Sequence, residues 1–192
     1  MDWTEQTAEY KKEERIANIL ASMRLPQFQP DMSLSTELRG LLAFTSRTSK
    51  DRIISGPEDL AVAEQLLNEI NQYRDRAVEI HLACIAQKAE IDLCYSMIRR
   101  ILLLKPEVQS KTVAIQTAIV GVVADEVESL QSRWDTLLQQ SEFLFKNCRL
   151  AFDNIHLQVD VAKQMWFQRQ GNIEGAVTGS GTRRLASELN QR

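Results

Sequence analysis

The feature that most constrains the fold is an apolar stripe that recurs every three or four residues between positions 110 and 169. Most positions in this stripe are apolar, and no proline interrupts it. Such spacing lines one face of a helix, and a face this long requires a partner helix. An unbroken helix of this length would extend roughly 85 to 90 Å, which argues for an elongated protein and against a compact enzyme. The stripe consists of Val113, Gln116, Val120, Val123, Val127, Leu130, Trp134, Leu137, Ser141, Leu144, Cys148, Ala151, Ile155, Gln158, Ala162 and Met165.

A second stripe precedes the first one and predicts its partner. The segment 55–59 has a capping serine or glycine, then a proline, then two acids, which is typical of a helix start. No glycine or proline follows until Lys105-Pro106. Two long helices joined by a short turn form an antiparallel hairpin. A turn centred near residues 107–108 would place Pro57 opposite Gln158. The second stripe consists of Leu66, Ile70, Tyr73, Ala77, Ile80, Cys84, Lys88, Ile91, Tyr95, Ile98 and Leu102.

Composition supports a helical class. Only seven glycines and four prolines occur in 192 residues, fewer than the turns of a sheet protein require. The apolar stripe of the second long helix is too wide for two helices to bury, so a third or fourth helix must cover it. An N-terminal helix over residues 4–24 is one candidate, and a second chain is the other. The predicted fold is all-α: an elongated antiparallel hairpin of two long helices with an additional N-terminal helix, assembled as an oligomer.

Three segments are predicted along the chain. Residues 1–57 form the N-terminal helix and an irregular arm, with a short helix near 35–44 and an exposed polar loop over 45–52. Residues 58–170 form the long hairpin. Residues 171–192 form a flexible glycine-rich tail, because Gly171 should end the second long helix. The last part of the tail, 182–192, either stays disordered or forms a short helix on contact with a partner.

Charge and cysteine content limit the environment and the ligands. The net charge of −3 excludes a strongly basic nucleic-acid domain, so an acidic polymer would have to bind at a local patch. The N-terminus lacks a secretory signal, and no apolar run is long enough to span a bilayer. Three cysteines at helical positions indicate reduced thiols and no disulfide framework. These features predict a cytoplasmic protein with no membrane partner.

No catalytic motif and no cofactor motif is present. The sequence lacks a glycine-rich phosphate loop, HExxH, GxSxG and CxxC. His81 and Cys84 have a spacing that zinc ligands use. In the predicted register they face Gln131 and Trp134, neither of which binds zinc. We therefore interpret His81 and Cys84 as core or boundary residues, and predict no metal and no cofactor.

Basic residues gather at the predicted turn of the hairpin: Arg99, Arg100, Lys105 and Lys111. They have two interpretations. The cations either complement the C-terminal dipole of the first long helix, or form a patch that binds a phosphate backbone or a protein. Trp134 lies on the stripe and is interpreted as a core residue. Trp166 and Phe167 lie beyond the paired part of the hairpin and are more open to contact.

Several short motifs carry a resemblance to a known family. They are Ala86-Gln87-Lys88 in the first long helix, and Lys111-Thr112-Val113, Leu130-Gln131, Trp134, Leu137-Leu138, Ala151 and Ile155 in the second. Over about residues 62–170, this pattern resembles the UvsY family, the recombination mediators of T4-like bacteriophages.

The resemblance implies a non-enzymatic homo-oligomer in the cytoplasm of a bacterial host cell. It implies binding to single-stranded DNA, displacement of single-strand-binding protein and loading of a RecA-like recombinase. The DNA-binding residues would be Lys88, Arg99, Arg100 and Lys105, together with Lys111 at the turn. The alternative is a helical structural or adaptor protein, such as a virion component or a chaperone, that docks partner helices on its apolar stripe.

Overall fold

A computed structural model describes residues 3–189, with side chains described for residues 5–56 and 58–170. The structure is 88% helical, and no strand occurs in the described residues. The all-α class is therefore confirmed. The helices are α1 (Trp3–Lys12), α2 (Glu14–Met23), α3 (Met32–Thr48), α4 (Leu60–Leu103), α5 (Pro106–Gln109), α6 (Val113–Val123) and α7 (Asp125–Leu189). Two short 3-10 turns lie at Pro26–Phe28 and Pro57–Asp59.

The chain divides into two compact units. Unit 1 contains Met1–Leu41 and Arg76–Phe145, and unit 2 contains Leu42–Asp75 and Lys146–Arg192. The two long helices α4 and α7 pack together, and each of them contributes a segment to both units. The units therefore cut across the three segments that the sequence predicts, because each unit combines an N-terminal segment with parts of both long helices.

The packing of α4 against α7 in unit 1 buries the predicted stripes. Ala77, Cys84, Ile91 and Ile98 of α4 are almost completely shielded from solvent. On the other side, α6 and α7 bury most of their stripe between Val120 and Leu144. Val113, which the sequence places on this stripe, is instead 77% exposed at the start of α6.

The register of the hairpin differs from the prediction by about two helical turns. His81 Nδ1 lies 2.9 Å from Ser141 Oγ, whereas the predicted register places Gln131 and Trp134 opposite His81. Farther along α4, Asp92 Oδ1 accepts a hydrogen bond of 2.6 Å from Gln131 Nε2 of α7. In unit 2, Gln158 bonds to the backbone of Ile53 and Ile54, three to four residues before Pro57, which the prediction places opposite it.

The connection between the long helices explains this shift. It is not a tight turn, because α5 and α6 intervene between α4 and α7. The side-chain amide of Gln116 donates to the carbonyl groups of Val108 and Lys111 at 3.2 and 3.0 Å, which closes the connection. Gln116 lies in α6 and its side chain bonds to the connection before that helix, although its spacing fits the stripe. A further break at Ala124 separates α6 from α7, so the second long helix is not continuous from residue 110.

The N-terminal helix predicted over residues 4–24 is two helices. Glu13 has an extended backbone (φ −58°, ψ 128°) between α1 and α2, and its carboxylate pairs with Lys105 at the end of the hairpin. Helix α2 buries Ile16, Leu20 and Met23. The N-terminal segment thus covers part of the wide apolar stripe within unit 1, as one of the two predicted alternatives requires.

Ion pairs and one buried hydrogen bond fasten this N-terminal segment to α7. Arg24 Nη2 and Nε donate to the two carboxylate oxygens of Glu126 at 2.8 and 3.0 Å. Lys11 Nζ lies 2.7 Å from Asp125 Oδ1. The Trp134 indole N–H donates to the Phe28 carbonyl at 2.7 Å. Trp134 is buried, which confirms it as a core residue.

Helix α3, which contributes residues to both units, is longer than the predicted helix near 35–44. Helix α3 extends to Thr48, and Thr45 and Thr48 are buried, so the prediction of an exposed loop from residue 45 is wrong. The hydroxyl of Thr48 donates to the Phe44 carbonyl at 2.7 Å, within the helix. Polar residues that would suit a loop are therefore accommodated because their hydroxyl groups bond to the preceding turn.

The segment after α3 is held by two amide side chains of α7. Gln158 Oε1 accepts hydrogen bonds from the backbone N–H groups of Ile53 and Ile54, both at 2.7 Å. Asn154 Nδ2 donates to the Thr48 carbonyl at 2.8 Å. Gln158 lies on the predicted stripe as one of its few polar members, and this backbone contact explains why the stripe contains an amide there.

Helix α7 does not end at Gly171, as the sequence predicts, but continues to Leu189. A glycine ends a helix when it adopts a positive φ, and no described glycine has one. Within a helix, glycine costs only about 1 kcal/mol relative to alanine. The flexibility of the tail stays a prediction, and the last three residues of the predicted contact helix, 190–192, lie outside the described residues.

Candidate interaction surfaces

The five basic residues predicted to bind single-stranded DNA all belong to unit 1, but they fall into two groups. Lys88 and Lys105 form ion pairs inside the unit. Lys88 pairs with Asp135 of α7, and Lys105 pairs with Glu13 while its ammonium lies 5.3 Å from the centre of the Tyr10 ring. Both lysines therefore connect helices.

The pKa of Lys88 reflects this role. Its hydrogen bond to Asp135 raises the pKa above the ordinary lysine value, because the ammonium form is stabilised by its carboxylate partner. Releasing such a lysine to bind a phosphate group would break an internal pair. The predicted DNA contacts of Lys88 and Lys105 thus compete with contacts that hold the fold.

Arg99 and Arg100 form the second group. Both are exposed near the C-terminal end of α4, and within the described residues no ion pair involves either of them. Lys111 is exposed in the connection between α5 and α6. The turn of the hairpin therefore presents the guanidinium groups of two consecutive residues to solvent, a smaller basic patch than the sequence predicts.

A more extensive feature lies on α4 itself, within unit 1. Five large apolar side chains are between 41% and 61% exposed, and Ala89 between them is also exposed. They recur in steps of three and four, which places them on one side of the helix. We call this surface the outward face of α4. It consists of Val78, Leu82, Ile85, Ala89, Leu93 and Met97.

The outward face is separate from the stripe that packs against α7. Its residues lie between the buried positions in the sequence, as Leu93 does between Ile91 and Ile98. Outer positions of a two-helix hairpin are normally polar, because they contact water. The sequence carried this signal in the spacing of Val78, Leu82 and Ile85. Spacing alone does not distinguish this second, weaker stripe from the margin of the buried stripe on the same helix.

Exposed aromatic residues occur in unit 2. Trp166 and Phe167 are 42% and 65% exposed, and their rings meet edge to face with centres 5.1 Å apart. Their predicted openness is confirmed.

His81 and Cys84 do not come together as ligands. The His81 ring contacts Ser141, whose hydroxyl donates to the Leu138 carbonyl at 2.7 Å. The Ser141 oxygen therefore accepts from the Nδ1–H of His81. Cys84 is fully buried in the core. In the described part of the chain, no group of three or more histidine, cysteine, aspartate or glutamate residues is arranged to hold a metal ion.

The three thiols are unpaired. Burial raises the pKa of the Cys148 thiol to about 11, and burial together with Glu90 raises the pKa of Cys94. A thiol with a raised pKa is mostly protonated at neutral pH and is a poor nucleophile. The cysteines therefore pack as small apolar residues.

Comparison of the chain with protein-family models, with curated proteins and with solved structures gives no match. Among the described residues, no helix combines the length and apolar character needed to cross a membrane.

Proposed function

We propose that this protein is a non-enzymatic helical interaction protein, a structural component or adaptor, and that the outward face of α4 binds a helix of a partner polypeptide. The observation that carries the proposal is the exposure of five large apolar side chains at helical spacing on one side of α4. The sequence predicts that an adaptor would dock its partner on the apolar stripe between positions 110 and 169. That stripe, on α6 and α7, is mostly buried inside the chain, so the proposed partner surface is instead the outward face of α4.

The physical argument is the cost of leaving this face in water. Burying one such side chain stabilises a complex by about 1.5 to 3 kcal/mol when it was fully exposed before. Contiguous exposed apolar surface on a protein commonly marks an interaction site. A helix that presents apolar residues in steps of three and four matches a partner that offers the same spacing.

Photo-crosslinking tests this proposal. A benzophenone amino acid replaces Leu82 of the full chain in cells that naturally contain the protein, and the same group replaces Ser132 as a control. Ser132 is exposed on α7 in the same unit. We expect position 82, and not position 132, to crosslink to apolar residues of a helix, and Leu93→Glu to abolish the product. Equal labelling from the two positions would refute the proposed function.

A second candidate function rests on Arg99 and Arg100. We propose that these exposed guanidinium groups and Lys111 bind the backbone of single-stranded DNA, as the resemblance to recombination mediators implies. Guanidinium groups form strong paired hydrogen bonds with phosphate oxygens. In a homo-oligomer of this chain, the weak patches of several subunits would act together, since linked subunits raise the effective concentration of each contact. A single-strand-binding protein and a RecA-like recombinase would be the protein partners.

Fluorescence anisotropy of a labelled single-stranded oligonucleotide at two salt concentrations tests this candidate. We expect binding that weakens as salt rises and that is lost in the double variant Arg99→Glu/Arg100→Glu. The control variant Arg15→Glu/Arg39→Glu changes the net charge equally at two exposed residues of the N-terminal segment. Loss of binding in both variants, or in neither, would remove the turn from the DNA-binding hypothesis.

The cytoplasmic location also remains a proposal. It is supported by the three unpaired thiols, which persist most readily in a reducing compartment.

A further inference from the structure

We propose that the outward face of α4 packs against the same face of a second copy of this chain, with the two α4 helices antiparallel and Ala89 of each copy at the two-fold axis. This inference rests on the proposed function and names the partner. It follows from the sizes of the side chains on the outward face and from the charges at its two ends.

The sizes of the side chains suit a symmetric contact centred on Ala89. Ile85 and Leu93 lie four residues before and after Ala89. In an antiparallel pair, Ile85 of one copy therefore lies level with Leu93 of the other. Ala86 and Ala89 are both exposed at the centre, and small side chains there allow two helices to approach to about 8 Å. Large side chains on both sides of a small centre give the alternation that interlocking helices require.

The charges select the antiparallel direction. Glu79 lies ten residues before Ala89, and Arg100 lies eleven residues after it. At 1.5 Å per residue, both are roughly 15 to 17 Å from the axis. In the antiparallel pair, Glu79 of one copy lies beside Arg100 of the other, and this occurs twice. In a parallel pair, Glu79 would face Glu79 and Arg100 would face Arg100, so that like charges would oppose association.

Glu79, the acidic residue of the proposed contact with Arg100 of the second copy, is held in position by a neighbouring side chain. The Glu79 side chain is 67% exposed, and Arg76 Nη1 holds it with a hydrogen bond of 2.9 Å to Oε2. The Arg76 guanidinium also bonds to Glu37, because its Nε donates to Glu37 Oε1 at 2.7 Å. The carboxylate of Glu79 is therefore fixed at the edge of the outward face, and less side-chain entropy is lost when the second copy binds.

Sedimentation velocity of the purified full chain tests the proposal with a charge exchange. We expect the wild type to form a dimer, and Glu79→Arg and Arg100→Glu each to raise its Kd by about tenfold or more, since each single change creates two like-charge contacts. The double variant, in which the two charges are exchanged, should recover most of the affinity. Glu142→Arg, an exposed change on α7, should leave the dimer unchanged. Circular dichroism of each variant verifies that it is folded.

Three outcomes would overturn the inference: a wild type that stays monomeric, a dimer that none of the charge changes weakens, or a double variant no tighter than the single ones. A monomeric wild type that still crosslinks from position 82 to a different polypeptide would overturn only the second copy as partner. The absence of any specific crosslink from position 82 would instead refute the proposed function. The two failures are therefore distinguishable.

Discussion

The two sides of α4 in unit 1 are both apolar at helical spacing, yet they have opposite environments. The inward side, with Ile91 and Ile98, is fully buried against α7. The outward face, with Leu82 and Leu93, is more than half exposed at these residues. Apolar periodicity therefore indicates that a helix has a partner, but it does not show whether that partner belongs to the same chain.

The charged residues show a similar contrast. Lys88 is paired with Asp135 beside the inward side, whereas Arg100 is exposed and, in the described part of the chain, forms no ion pair. The amino-acid sequence alone does not distinguish these two basic residues. Only the structure separates a cation that connects two helices from one that remains available to a ligand.

The largest expected effect comes from a matched pair of alanine substitutions on the two sides. Ile91→Ala removes a fully buried side chain and should lower the free energy of unfolding by about 2 to 5 kcal/mol. Leu93→Ala should change it by no more than about 0.5 kcal/mol, provided that urea unfolding is measured at a concentration where the chain is monomeric. Similar losses from both substitutions would show that Leu93 is buried within a single chain.

The sequence predicted the inward side well, because burial against α7 depends mainly on spacing. It predicted the register badly, because α5 and α6 lengthen the connection and the bonds of Gln116 close it. No local pattern fixes the length of such a connection. The break at Glu13 and the order of the loop after α3 depend on Lys105 and Gln158, which are distant in the sequence. Contacts of that kind cannot be read from local propensity.

A smaller effect should come from the indole of Trp134. Trp134→Phe keeps much of the apolar volume but leaves the Phe28 carbonyl without its 2.7 Å donor, which should cost about 1 to 3 kcal/mol. Trp166→Phe changes an exposed residue in unit 2 and should be close to neutral. Denaturant unfolding of both variants measures the difference. An unchanged stability of Trp134→Phe would contradict the role of this hydrogen bond.

The smallest expected effect is the pH dependence of the contacts that fasten the N-terminal segment to α7. Hydrogen bonds from Arg24 and Lys11 lower the pKa values of Glu126 and Asp125. Because the folded pKa lies below the unfolded one, these pairs add stability above the ordinary carboxyl pKa of about 4. That stability is lost as the pH falls through the folded pKa.

We therefore expect the free energy of unfolding to change little between pH 7 and 5 and to decrease below about pH 4. The double variant Asp125→Asn/Glu126→Gln should have a lower free energy at pH 7 and a shallower decrease in acid. The effect should be small because both carboxylates are partly exposed. An acid decrease of the same steepness in both proteins would contradict the contribution of these pairs.

The most direct test of the central claim, that a second copy of the chain covers the outward face of α4, is the accessibility of its centre. Ala89→Cys and the control Ser132→Cys are labelled with a maleimide over a range of protein concentrations. We predict that labelling at position 89 is rapid in dilute protein and becomes several-fold slower as the concentration rises, while labelling at position 132 does not change. Equally rapid labelling at both positions at every concentration would contradict the claim that a second copy covers this face.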